Sequence, residues 1–103
     1  MGLTVFWTES AINQLEDIFE YYKITTSTTV AQKIVNVIVD KSLVLEKQPQ
    51  IGPIEELLKE RKNLYRYLVE GNYKIIYWVE VPYIKIAAVF DCRQNPVKMD
   101  SIG

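Results

Sequence analysis

Arg66, Lys74, Lys85 and Arg93 are the side chains through which this chain could do chemistry. Fixed cations of this kind grip a phosphate or another anion and offset the charge that builds up in a phosphoryl transition state. Little else in the sequence competes with them. Histidine is absent, which excludes Ser-His-Asp triads, Cys-His pairs, imidazole acid–base catalysis and histidine metal sites. Cys92 is the one cysteine, so no internal disulfide and no cysteine zinc site can form. It reads as a small buried apolar residue. Neither a metal nor a cofactor is expected. Tyr65, Tyr67, Tyr73 and Tyr77 read as core aromatics rather than catalytic phenols.

The four cations act together only if the elements around them bring them to one surface. Leu3 to Trp7 reads as a short buried strand ending at Thr8, a helix-capping residue type. Ala11, Leu15, Ile18 and Tyr22 then recur at helical spacing, widened by Ile12 and Phe19. The Thr25–Thr29 run breaks this helix and caps a second, from about Val30 to Lys47. Its β-branched residues favour a strand, but it is too long for one and holds no turn signal. Pro49-Gln50-Ile51-Gly52-Pro53 ends it. The two helices should pack as an antiparallel hairpin. Residues 54–63 read as a helical turn or a loop. Leu64–Glu70, Tyr73–Glu80 and Tyr83–Asp91 follow as strands, with turns at Gly71-Asn72 and Val81-Pro82. The fold class is α+β: β-α-α-β-β-β, with an antiparallel-rich curved sheet covered on one face by the helical hairpin.

Strand parity then assigns the faces. Alternation along the last strand puts Ile84, Ile86, Ala88 and Phe90 against the helices. A two-residue Val81-Pro82 turn pairs Glu80 with Tyr83, which sends Tyr73, Ile75, Tyr77 and Val79 to the same side. Lys74, Ile76, Trp78 and Glu80 fall on the other. A two-residue Gly71-Asn72 loop would pair Val69 with Lys74 and drive Arg66 into the core, at a cost unless it is paired. A three-residue loop or a bulge avoids this, and is the arrangement expected here. Arg66, Leu64 and Leu68 then join Lys74, and Arg93 keeps the same parity. The outcome is an open sheet face carrying Arg66, Lys74 and Arg93, with Trp78, Lys85, Leu68 and Ile76 as a binding surface among them. The bland alternative is a solvated outer face, with Lys85 capping the ring of Trp78 and Trp78 itself covered by a carboxy-terminal segment.

At 103 residues there is room for one core, so residues 1–103 read as a single domain. The net charge is −1, but residues 1–58 sum to −4 and residues 59–98 to +4. Such asymmetry suits an anionic partner for the second half; it also suits two halves that simply attract. The start of the chain lacks a basic leader and does not read as a signal peptide. No stretch is apolar enough to span a bilayer, so no membrane partner is expected and the cytoplasm is the default location.

Several phrases carry a family resemblance: Tyr65-Arg66-Tyr67-Leu68, Gly71-Asn72-Tyr73-Lys74-Ile75-Ile76-Tyr77 and Val89-Phe90-Asp91-Cys92-Arg93-Gln94-Asn95-Pro96. With Trp7-Thr8-Glu9-Ser10-Ala11 and the Pro49-x-x-Gly52 step, this ordered set resembles the RelE/ParE superfamily of bacterial toxins over nearly the whole chain. The resemblance implies the toxin half of a type II toxin–antitoxin system, often described as a plasmid stabilisation protein. A cognate antitoxin would silence it, within a toxin–antitoxin hetero-oligomer. RelE-like members cleave mRNA on the ribosome with Arg and Lys around the phosphate; ParE-like members inhibit DNA gyrase. Lys74 stands where the family has a sheet Arg, and Arg93 matches the Arg after the last strand. Lys keeps the charge but loses the bidentate fork. Many members carry a His near the position of Asp91, and nuclease members often have a Tyr or His after the Arg. Asp91 is acidic, and Gln94–Gly103 holds neither Tyr nor His. Proton transfer therefore lacks an agent, and a pI near 5.4 suits ribosomal RNA poorly. The expectation is a ParE-like gyrase inhibitor or a degenerate toxin. The alternative is a RelE-like ribosome-dependent mRNA endoribonuclease with Arg66, Lys74 and Arg93 as its catalytic residues.

Overall fold

The structure, a computed structural model, describes residues 2–93, 99 and 102. The chain runs β1 (Thr4–Trp7), α1 (Glu9–Thr25), α2 (Thr28–Ser42), β2 (Arg66–Glu70), β3 (Tyr73–Glu80) and β4 (Tyr83–Asp91). The α+β reading is correct: two helices cover one face of a four-stranded mixed sheet of order β1-β4-β3-β2.

Local chemistry sets the helix ends. Thr8 caps α1, its hydroxyl oxygen accepting from the Ala11 N–H at 3.3 Å. The same hydroxyl donates to the Ile86 carbonyl at 2.8 Å, tying the start of the helix to β4. Thr26 closes α1 through its N–H to the Tyr22 carbonyl, and Ser27 opens α2 by accepting from the Val30 N–H at 3.1 Å. The Thr/Ser run thus serves both helices. α2 is a helix despite its β-branched content, but it tightens after Ser42 into a 3₁₀ turn over Leu43–Glu46 instead of running on to Lys47. In that tighter winding positions three apart eclipse, and Ser42 and Leu45 are both fully buried.

Two register facts decide which side chains face the helices. Glu70 pairs with Tyr73, Val69 with Lys74 and Leu68 with Ile75, so the Gly71-Asn72 loop has two residues and not three. Gly71 supplies the positive φ of 59° that such a tight turn needs. Arg66 and Leu68 therefore lie on the helix side, and Tyr67 and Val69 share the face of Lys74. The cost of turning Arg66 inward is offset by backbone: its guanidinium donates to the carbonyl of Gly52 at 2.9 Å and of Gln50 at 3.4 Å.

The second fact is a bulge. The Val81-Pro82 turn pairs Glu80 with Tyr83 as expected, and Tyr77 faces Ile86, but Ile76 faces Ala88. Ala87 has no opposite residue, and beyond it every side chain changes face. Val89 joins Ile84 and Ile86 in the helix-side core, whereas Ala88 and Phe90 point away from the helices, contrary to simple alternation. Gln14 of α1 accepts the Val89 N–H at 2.8 Å next to this bulge. β1 pairs in parallel with β4, Val5 beside Ile84 and Trp7 beside Ile86, and adds both side chains to the core.

The face turned from the helices is not open. Leu58, from the 3₁₀ turn Glu56–Leu58, joins Met99 and Ile102 over Tyr65, Ile76, Ala88 and Phe90 in a second apolar cluster. Trp78 packs beside it, as the bland reading allowed. Ile75, Ile76, Ile84 and Ile86 are fully buried between the layers, each worth about 1.5–3 kcal/mol.

Gly52 sits where the Pro-Gly-Pro loop meets the sheet. Its N–H donates to the Tyr77 hydroxyl at 3.1 Å. An added Cβ would overlap the Tyr67 carbonyl oxygen and approach the Tyr77 hydroxyl to 2.8 Å. Gly52→Ala should lower stability by about 1–3 kcal/mol through overpacking. Gly71→Ala meets no atom within 4 Å and should cost only about 1–2 kcal/mol, for its left-handed backbone. Urea unfolding midpoints of the two variants check this.

Candidate functional site

The register separates the cations that alternation gathers. Lys74 points to the outer face, where its ammonium lies 2.7 Å from the Glu55 carboxylate and 4.2 Å above the Tyr67 ring. The Glu55 side chain is only 4% exposed, and its second oxygen accepts the Leu57 N–H. Lys74 thus neutralises a buried carboxylate and fastens the Glu56–Leu58 turn to the sheet. Arg66 is on the opposite face, held by loop carbonyls. Arg93 follows the end of β4 and forks onto Asp91, with Nε and Nη2 at 2.9 and 2.8 Å from its two oxygens.

Asp91 pairs with Tyr73 across the sheet. Arg93 therefore comes out beside Tyr22 of α1, and not beside Lys74. The Tyr73 hydroxyl lies 3.4 Å from that of Tyr22. Hydrogen bonds from Arg93 hold the Asp91 carboxyl below the usual aspartate range, against the opposing effect of burial. In return, Asp91 and Tyr22 raise the already high pKa of Arg93. Burial pushes the Tyr73 phenol up, assisted by Tyr22 and by the Asp91 charge. It raises Tyr77 too, partly offset by the Gly52 N–H and by Arg66. Neither phenol is a base at neutral pH, in keeping with their reading as core aromatics.

The expected binding residues also part company. Leu68 is core on the helix side, because the two-residue loop sends it there. Ile76 faces outward but is fully buried under the second cluster. Lys85 is opposite Trp78 in register, yet its ammonium sits 4.6 Å over Phe6, 5.5 Å over Tyr83 and 3.6 Å from Glu80. Trp78 instead meets Tyr65 edge to face at 5.6 Å and donates its indole N–H to Glu80 at 3.3 Å. Cys92 is exposed rather than buried; it follows β4 in the turn, its N–H bonded to the Asn72 carbonyl. Glu55 is the site residue that sequence reasoning passes over. A carboxylate set among Ile54, Leu57 and Leu58 is the sign that it needs a buried cation. Among the described residues no group of three potential metal ligands clusters, and no helix is long and apolar enough to cross a membrane.

The architecture is that of a solved toxin–antitoxin protein. A chain of the structure described as "Chromosomal ParDE TA system from P. aeruginosa" superposes with a TM-score of 0.73 at 21% identity, covering 86% of this chain and 95% of that one. No curated protein matches in sequence. Residues 5–96 match the family described as ParE toxin of type II toxin-antitoxin system, parDE. The chain belongs to this family of type II toxins.

Removing one partner of the Lys74–Glu55 pair should hurt more than removing both. Lys74→Met leaves a nearly buried carboxylate without its cation and should cost about 3 kcal/mol at neutral pH. Lys74→Met with Glu55→Leu should recover more than half of that in urea unfolding. Asp91 has a depressed folded pKa, so its contribution is present above the ordinary aspartate value and is lost as the pH falls through the lower folded one. Arg93→Ala should return Asp91 towards the ordinary range, read directly from the carboxyl resonance in an NMR pH titration.

Proposed function

We propose that the protein is a binding-type toxin that inhibits DNA gyrase and is silenced by a cognate antitoxin. One observation carries this reading: Arg66, Lys74 and Arg93 occupy three separate environments, each with partners from its own chain. A ribonuclease built on them would need all three to converge on one scissile phosphate, with a base within reach of the attacking hydroxyl. Reaching that arrangement would mean breaking the Lys74–Glu55 pair and moving Arg66 through the sheet. Inhibition by binding asks for neither.

The antitoxin reading rests on the helical hairpin. Val30, Val37 and Val44 recur at seven-residue spacing along α2 and its following turn and are exposed. Ile12, Tyr21 and Ile24 of α1 are exposed as well, Ile24 to 80%. An amphipathic partner segment laid along the hairpin would cover this surface. The outer sheet face is covered by the chain's own Leu58, Met99 and Ile102, which favours the helices as the antitoxin's contact. The similar chain from P. aeruginosa belongs to a ParDE system, which agrees with such pairing.

Induced expression without antitoxin tests the target. Growth arrest with loss of gyrase supercoiling, and intact mRNA in primer extension, is the expected result. Cleavage at ribosomal A-site codons that Arg93→Ala abolishes would overturn it in favour of a RelE-like endoribonuclease. Unaffected growth would mark a degenerate toxin. Val37→Asp should weaken capture of the product of the adjacent reading frame by at least about tenfold while leaving the thermal midpoint of the toxin nearly unchanged.

A further inference from the structure

The bulge in β4 leaves a cleft of about 300 Å³ at the sheet edge, where β1 has ended and α1 begins. Ala87 and Ala88, the smallest side chains of a strand otherwise built from large ones, help line it. Tyr65 and Trp78, edge to face, contribute aromatic surface. Gln14 and Asn63 bring two carboxamides to it from α1 and from the loop before β2.

The hydrogen bonds of these groups are only half spent. The Gln14 oxygen is occupied by the Val89 N–H at 2.8 Å, which fixes the amide plane and leaves its nitrogen without a partner among the described residues. Asn63 donates to the Tyr65 hydroxyl at 3.4 Å, and its own oxygen has no donor among the described residues. Tyr65 is 3% exposed. Its hydroxyl pairs with the Asn63 carboxamide, so no buried side-chain polar atom among the described residues lacks a partner. The cleft thus offers the Gln14 amide nitrogen as a donor and the Asn63 carbonyl as an acceptor, held by a helix, by a bulged strand and by aromatic packing. Among the described residues that line it none is Lys, Arg, Asp or Glu, so none of them would supply countercharge to a phosphate or a carboxylate.

A flat, uncharged ring with donors and acceptors in its plane matches this chemistry. We propose that the cleft binds a nucleobase, presented as a neutral nucleoside or free base. The ring packs on Trp78, which Tyr65 backs edge to face, while its edge meets the Gln14 amide nitrogen and the Asn63 carbonyl, one hydrogen bond to each. The small volume admits one ring system, and no cation among the described residues lines it to hold a polynucleotide backbone.

Titration of the whole protein with adenosine, guanosine, cytidine and uridine in turn, followed by NMR, tests this. The Trp78 indole N–H, assigned through Trp78→Phe, and the Gln14 and Asn63 side-chain amides are the probes. At least one nucleoside should give saturable shifts with a Kd of about 1 mM or tighter, and inorganic phosphate none. Ala87→Leu, which fills the cleft from a half-buried position, should weaken binding at least about tenfold; Asn63→Leu should do the same should the first variant unfold. Saturation by none of the four nucleosides overturns the proposal. So do shifts that survive both substitutions. Binding of free indole in place of every nucleoside would overturn it as well, and would mark an anchor pocket for an aromatic side chain of a partner protein.

Discussion

Ala87 has no residue opposite it on β3, and the layout of both faces follows from that one unmatched position. A β-strand has a strict period of two, so a single extra residue exchanges the faces of everything beyond it. Before the bulge, β4 gives Ile84 and Ile86 to the helices. After it, Val89 goes to the helices, and Ala88 and Phe90 go to the outer side. Without the shift, Phe90 would crowd the helical layer and the outer cluster would lose two of its members. Gln14 accepts the Val89 N–H beside the irregularity, so the local loss of strand pairing does not leave that donor bare. One irregularity therefore lets a chain of 103 residues build apolar contacts on both sides of a single sheet, which matters where one core is barely enough.

The outer layer is secured by a different kind of contact. Lys74 and Glu55 lie 2.7 Å apart with the carboxylate almost wholly buried. Desolvation consumes much of the Coulomb gain of such a pair, so its main consequence is specificity of placement rather than net stability. Glu55 can be buried only where Lys74 meets it. That fixes the Ile54–Leu58 segment over the sheet, with Ile54 bridged to Arg66 and Leu58 driven into the cluster under Met99 and Ile102. The cation that alone would have looked like a phosphate ligand is committed to holding a strap in place.

How far the sequence can be read follows from the period of each signal. The helices are legible because an apolar stripe at 3.6 residues survives local errors, and the Thr/Ser run can only be a break with caps. The strands and the Val81-Pro82 turn are legible for the same reason at period two. The faces are not, since parity has no redundancy. A two-residue Gly71-Asn72 loop looks unfavourable because it buries Arg66, and carbonyls of Gln50 and Gly52, distant in sequence, cannot be foreseen as its acceptors. Nothing in Ile86-Ala87-Ala88-Val89 announces a bulge except the two small residues. Each error moves side chains across the sheet, and together they assemble an array of cations that does not exist.

That dispersal bears on how one fold hosts two toxin activities. The resemblance runs through phrases that surround these cations, yet the same phrases would serve catalysis only with the guanidinium groups aimed at one point. Function resides in such a site and not in the fold that carries it. Here Arg66 is spent on a loop, Lys74 on a strap and Arg93 on the adjacent Asp91, each closing a local electrostatic circuit within the chain. Electrostatic catalysis draws on preorganised charge that has no better partner than the transition state. Lys74, matched at 2.7 Å by an almost wholly buried carboxylate, has surrendered most of that capacity, and recovering it would require unfastening the segment it holds; the Arg93–Asp91 pair is more exposed and ties down no segment.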